Sequence, residues 1–153
     1  MSLTPLPTST GRGLKGPARP AHSFLEFRAL PRLVPHARAH TCRVLERWGM
    51  TELAATAELL VSELVTNAIR ASTIASEPVV RLLLTVDYDG LRISVWDAAP
   101  GRPRRSEQSD DAIGGRGLML VEALSSDYGT YLSAGLGKVV WCVLSHKVTD
   151  AGE

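Results

Sequence analysis

A chain of 153 residues, 44% of them hydrophobic, is long enough for one domain with a real core. Its 17 basic and 16 acidic residues leave a formal charge of +1, which gives no global field for nucleic acid or an anionic membrane, so any polyanion must be held locally. The longest apolar runs, Val79 to Val86 and Val139 to Leu144, fall far short of the ~20 residues of a membrane span, and residues 1–21 lack the apolar centre of a secretory signal. A cytoplasmic protein is expected.

Residues 1–22 mix Pro5, Pro7, Gly11, Gly13, Gly16, Pro17 and Pro20 with small polar and basic residues, the composition of a disordered tail. The domain is expected over 23–148, with a short second tail at 149–153. Phe24 to Leu30 reads as a first strand. Pro31 and Pro35 then bracket the entry to a helix that runs to about Trp48 and ends at Gly49. Thr51 is the expected N-cap of a longer helix reaching about Ala71. Val79 to Asp87 and Leu91 to Asp97, joined at Asp89-Gly90, form a hairpin. A polar loop, rich in proline and charge, fills Ala98 to Ile113, and a third helix is expected from about Gly115 to Ser125. A second hairpin, Tyr128 to Ser133 and Lys138 to Lys147, completes an α+β fold. Its form is a two-layer sandwich with helices on one face of a mixed, mostly antiparallel sheet.

Cys42 and Cys142 have apolar neighbours and no CxxC partner, which favours buried reduced thiols. His36 and His40 stand four apart on the first helix but lack a third ligand nearby, so they read as helix-surface histidines rather than a metal site.

Three clusters carry chemistry. On the second helix Ala57, Leu60, Val61, Leu64 and Ala68 recur at three- and four-residue spacings and form the stripe that packs on the sheet. Glu63, Asn67 and Arg70 form a polar stripe beside it, which suits a pocket wall and equally a solvated face. On the strand Leu91 to Asp97, alternation places Asp97 on the face of Leu91, Ile93 and Val95. A carboxylate ending an apolar row needs donors, and the amino group of adenine is one, whereas guanine presents a carbonyl there. An Asx-turn into Ala98-Ala99-Pro100 is the alternative use of that carboxylate. Gly114-Gly115-Arg116-Gly117, ahead of the apolar run from Leu118 to Leu124, lets backbone amides at a helix start approach phosphate, with Arg116 as a charged fork. The same turn also serves as a plain connection.

Taken together, Glu63-Leu-Val-Thr-Asn67 resembles the N box of the GHKL (Bergerat) ATP-binding superfamily, and Val95-Trp-Asp97-Ala-Ala-Pro-Gly101 resembles its first G box. Gly115-Arg-Gly-Leu118 resembles the second G box. The phrase Val61-Ser-Glu-Leu-Val-Thr-Asn-Ala-Ile-Arg70, followed by Val95-Trp-Asp97 and by Gly114-Gly-Arg-Gly-Leu-Met-Leu-Val-Glu-Ala-Leu124, is most similar to the anti-sigma-factor serine/threonine kinases, particularly their actinobacterial relatives, and the resemblance covers about residues 24 to 146. It implies ATP and Mg²⁺ as cofactors. Asn67 would hold Mg²⁺ bridging the phosphates, and Glu63 would be the general base. Asp97 would read adenine while Gly101 passes the base. Gly115, Arg116, Gly117 and Leu118 would hold phosphate, with Arg70 and Ala71 as further nucleotide-contacting positions. The loop from Ala98 to Ile113 would be the ATP lid. As partners the resemblance implies an anti-sigma antagonist, a sigma factor and a second copy in a homodimer, with no nucleic acid and no membrane. The sequence departs from the family pattern at Ala99, in place of a glycine, and at Ala71, in place of a histidine. It departs again near Val139, where relatives carry a threonine that supports the adenine site.

Overall fold

A computed structural model describes residues 20–72, 78–99, 119–134 and 136–145. Among the described residues five strands form one sheet: β1 (Ala21–Arg28), β2 (Val79–Asp87), β3 (Gly90–Asp97), β4 (Asp127–Leu132) and β5 (Lys138–Ser145), in the order β1-β2-β3-β5-β4. Every pairing among them is antiparallel. β4 runs in the same direction as β3 because β5 lies between them, so among the described residues the sheet is antiparallel throughout.

The helices α1 (Val34–Arg47) and α2 (Ala54–Ala71) pack on each other, and α2 lies on β2, β3 and β5. The apolar stripe of α2 is wider than its five expected members: Ala57, Leu60, Val61, Leu64 and Ala68 are buried, and so are Val65 and Ile69. The extra width serves a helix that meets both a sheet and a second helix. The sheet contributes alternate residues, among them Val80, Leu82 and Leu84 of β2 and Leu91, Ile93 and Val95 of β3, with Cys142 and Leu144 of β5. Residues 119–124 are helical, and Val121 joins the same core. On the opposite face of the sheet the Arg81 and Arg92 guanidinium groups lie 4.2 and 4.3 Å from the ring centres of Trp96 and Trp141.

Several element ends differ from expectation. The first strand begins at Ala21, because Ala21, Ser23, Leu25 and Phe27 alternate inward along the β2 edge. Thr51 does not cap α2. A 3-10 turn, Thr51–Leu53, comes first, and Leu53 takes the N-cap position without a side-chain cap hydrogen bond. The turn between β2 and β3 is Tyr88-Asp89, one residue earlier than expected, braced by the Asp89 N–H donating to the Asp87 carboxylate at 2.8 Å. β5 ends at Ser145. The expected tails at 1–22 and 149–153, the lid and the start of the third helix lie wholly or largely outside the described residues. Among the described residues no helix is long and apolar enough to cross a membrane.

Candidate functional site

Asp97 is the fully buried acid at the end of β3, 0% exposed, as the alternation of that strand requires. Its two oxygens are both engaged. Oδ1 accepts the Ala99 N–H at 3.0 Å, which is the Asx-turn foreseen as the alternative use of this carboxylate. Oδ2 accepts from Lys138 Nζ at 2.7 Å. Lys138 is the direct cross-strand neighbour of Asp97 in the β3–β5 ladder, so the two side chains leave the sheet on the same face.

The connection from β4 to β5 fixes this arrangement. Trp96 Nε1 donates to the Leu136 carbonyl at 3.3 Å, and the Ser133 N–H donates to the Gly137 carbonyl at 3.0 Å. Gly137 has φ +92°, and a Cβ at this position would run into the Asp97 carbonyl oxygen and stand 2.8 Å from Trp96 Nε1. Only glycine allows the chain to turn so close to the end of β3 and deliver Lys138 opposite Asp97.

The register also decides which face of the sheet position 139 takes. Val139 pairs with Trp96, not with Asp97, and therefore belongs to the opposite face of the sheet. The residue that faces the buried carboxylate is Lys138. A local signal for it exists: Lys138 heads the alternating row Val140, Cys142, Leu144, so a cation at the start of an apolar face needs a partner.

Glu63 and Asn67 lie half-buried on α2, the helix that packs on the strand carrying Asp97. Ala71 is also half-buried and Arg70 is exposed. The helix ends at Ser72, whose hydroxyl donates back to the Ala68 carbonyl at 2.7 Å. Gly101, Gly115, Arg116, Gly117 and Leu118 lie outside the described residues. A cleft of about 500 Å³ occupies the far end of the β3–β5 ladder, lined by Gly90, Ser145, Asp87, Asp89 and Asp127, and is a different place from Asp97.

Neither cysteine is paired. Cys142 is buried, which pushes its thiol up to about 12, and Cys42 Sγ lies 3.6 Å from Glu58 Oε2. Burial, followed by the nearby Glu58 carboxylate, raises the Cys42 thiol as well, so neither has the character of a nucleophile. His36 is exposed, whereas His40 is half-buried and hydrogen-bonded to Ser23 at 2.9 Å, so only one of the two is a surface histidine. Among the described residues no group of three or more histidine, cysteine, aspartate or glutamate side chains is placed to hold a metal ion.

Residues 27–144 match the model of the family described as histidine kinase-like ATPase domain. The chain belongs to that family. The match spans every described element except residues 21–26 of β1 and the last residue of β5. No curated protein matches the chain at a significant level. As a histidine kinase-like ATPase domain the chain is an ATP-binding domain, and the residues present fit that ligand at its base end. A buried carboxylate at the end of an apolar strand is the acceptor an exocyclic amino group needs, and its oxygens have lone pairs beyond the two contacts they make.

Proposed function

We propose that this ATPase domain is an anti-sigma regulatory factor, a serine/threonine protein kinase that phosphorylates an anti-sigma antagonist and sequesters a sigma factor. The observation that carries the nucleotide part is Asp97, a fully buried carboxylate on the strand against which the Glu63- and Asn67-bearing helix packs. Asp97 accepts from the adenine amino group. Asn67, a neutral oxygen ligand, would help to hold a Mg²⁺ whose charge is balanced mainly by the phosphates. Bound Mg-ATP supplies the activated γ-phosphoryl group. Glu63, one helical turn before Asn67, accepts the proton of a serine or threonine hydroxyl on the antagonist, and that oxygen displaces ADP from the γ-phosphorus. The kinase assignment and its partners rest on the resemblance of Val61 to Arg70, Val95 to Asp97 and Gly114 to Leu124 taken together, and a homodimer is proposed on the family resemblance alone.

Calorimetric titration of the purified chain with Mg-ATP, and with Mg-GTP as control, tests the site. ATP is expected to bind and GTP to bind much more weakly. Asp97→Asn should abolish that preference, and Asn67→Ala should remove the Mg²⁺ dependence. Unchanged titrations in both variants would falsify the assignment. With radiolabelled ATP and a cognate antagonist, Glu63→Ala should keep binding while lowering transfer by about 10²–10⁴-fold, the range of a general base. Tight ATP binding with no serine transfer by the wild type would leave a non-catalytic, ATP-responsive protein-binding module.

A further inference from the structure

Lys138 belongs to none of the three boxes, yet it is the side-chain partner of the buried acid. The Asp97 side chain is 1% exposed and that of Lys138 15%, so both charges of the pair are largely withdrawn from water. An ion pair withdrawn from water contributes little net stability, because desolvation offsets the attraction, and an apolar pair of similar size serves a fold as well. The pair therefore calls for a use other than holding β3 to β5.

Its chemistry offers one. An ammonium has three N–H donors and a carboxylate oxygen has more than one lone pair, so the contact at 2.7 Å leaves capacity on both partners. Together they present an acceptor beside a donor. The amino-bearing edge of adenine presents the complement, an N–H donor beside a ring-nitrogen acceptor.

We propose that Lys138 is a base-reading residue that, paired with Asp97, donates a hydrogen bond to the adenine ring nitrogen flanking the amino group. This rests on the nucleotide reading of Asp97 given above. In that geometry the ion pair is kept on binding and shared with the base, and Gly137, which sets the register of Lys138, becomes part of the specificity of the site.

The test compares ATP with 1-deaza-ATP and 7-deaza-ATP, each lacking one of the two ring nitrogens beside the amino group, on wild type, Lys138→Met and Lys138→Gln. The wild type should bind one of the two analogues about tenfold or more weakly than ATP, the scale of a hydrogen bond to a charged group. Lys138→Met should bind ATP and that analogue alike. Lys138→Gln, which keeps an N–H donor, should retain part of the preference, and thermal melting of each variant reports whether it is folded. Three results overturn the proposal: equal binding of all three nucleotides by the wild type, an equal loss for all three in Lys138→Met, or tighter ATP binding in that variant, which would make the lysine a plug. If the wild type binds ATP with no dependence on either ring nitrogen, this inference alone fails. If it binds no ATP, the nucleotide reading fails with it.

Discussion

His40 lies where α1 meets β1, its ring 2.9 Å from the Ser23 hydroxyl. Burial first, then the positive charges of Arg43 and Arg47, hold it below its ordinary value of 6.5. The unfolded chain therefore takes up this proton at higher pH than the folded one. Between the two values the unfolded state carries more protons, so stability falls as pH drops below about 6.5 and levels off once the folded state is also protonated. His40→Gln should flatten that part of the curve, measured by urea unfolding at a series of pH values from about 7.5 to about 5. An identical pH slope in the variant would show that His40 does not contribute. Asp97 follows a different logic at the same scale. Removing its partner by Lys138→Met leaves a buried carboxylate with one backbone donor, and breaking such a pair costs about 3–5 kcal/mol in general.

At the scale of elements, the ends of α1 and β5 show how the backbone decides where side chains go. The helix α1 closes with Gly49 at φ +68°, the Gly49 N–H donating to the Glu46 carbonyl at 3.1 Å and the Met50 N–H to the Leu45 carbonyl at 2.8 Å. This double closure drops Met50, 0% exposed, into the core. The proline, glycine and apolar spacing made that helix legible in advance. The start of α2 was not legible, because Thr51 has the chemistry of a cap while the chain satisfies its first turn through a 3-10 segment that brings Leu53 and Ala54 against the core. Burial of apolar side chains there outweighed one capping hydrogen bond, worth about 1 kcal/mol. At β5, Gly137→Ala should destabilise the domain by about 2–4 kcal/mol, combining a left-handed backbone angle with a clash against the backbone of Asp97. It should also weaken ATP binding, because Asp97 and Lys138 would lose their alignment. Chemical denaturation alongside nucleotide titration checks both, and a variant of unchanged stability would mean that the connection yields easily.

For the whole molecule, Cys142 reports on global opening. It lies 0% exposed between the sheet and the helices, with its thiol pushed up to about 12, so an alkylating reagent at about pH 8 reaches it only when the core opens. Labelling followed by mass spectrometry should show Cys42 modified first and Cys142 at the rate of global unfolding. A ligand that binds only the folded state should slow the second step further. Labelling of Cys142 as fast as Cys42 would show that the core opens locally at β5.

The sequence by itself determined the apolar stripe of α2, the inward row of β3 ending in Asp97, and the glycine stop of α1, because each is a periodicity or a backbone requirement confined to neighbouring residues. The polar stripe of Glu63, Asn67 and Arg70 beside the apolar stripe of α2 was equally readable. Only the tertiary structure decided what Asp97 touches. Its partner lies 41 positions away, and whether Lys138 or Val139 faces it depends on the register of β5 against β3. Shifting that register by one residue exchanges the two faces of the strand. The close approach of Gly137 to Asp97 fixes it, and no local pattern in the chain encodes that contact.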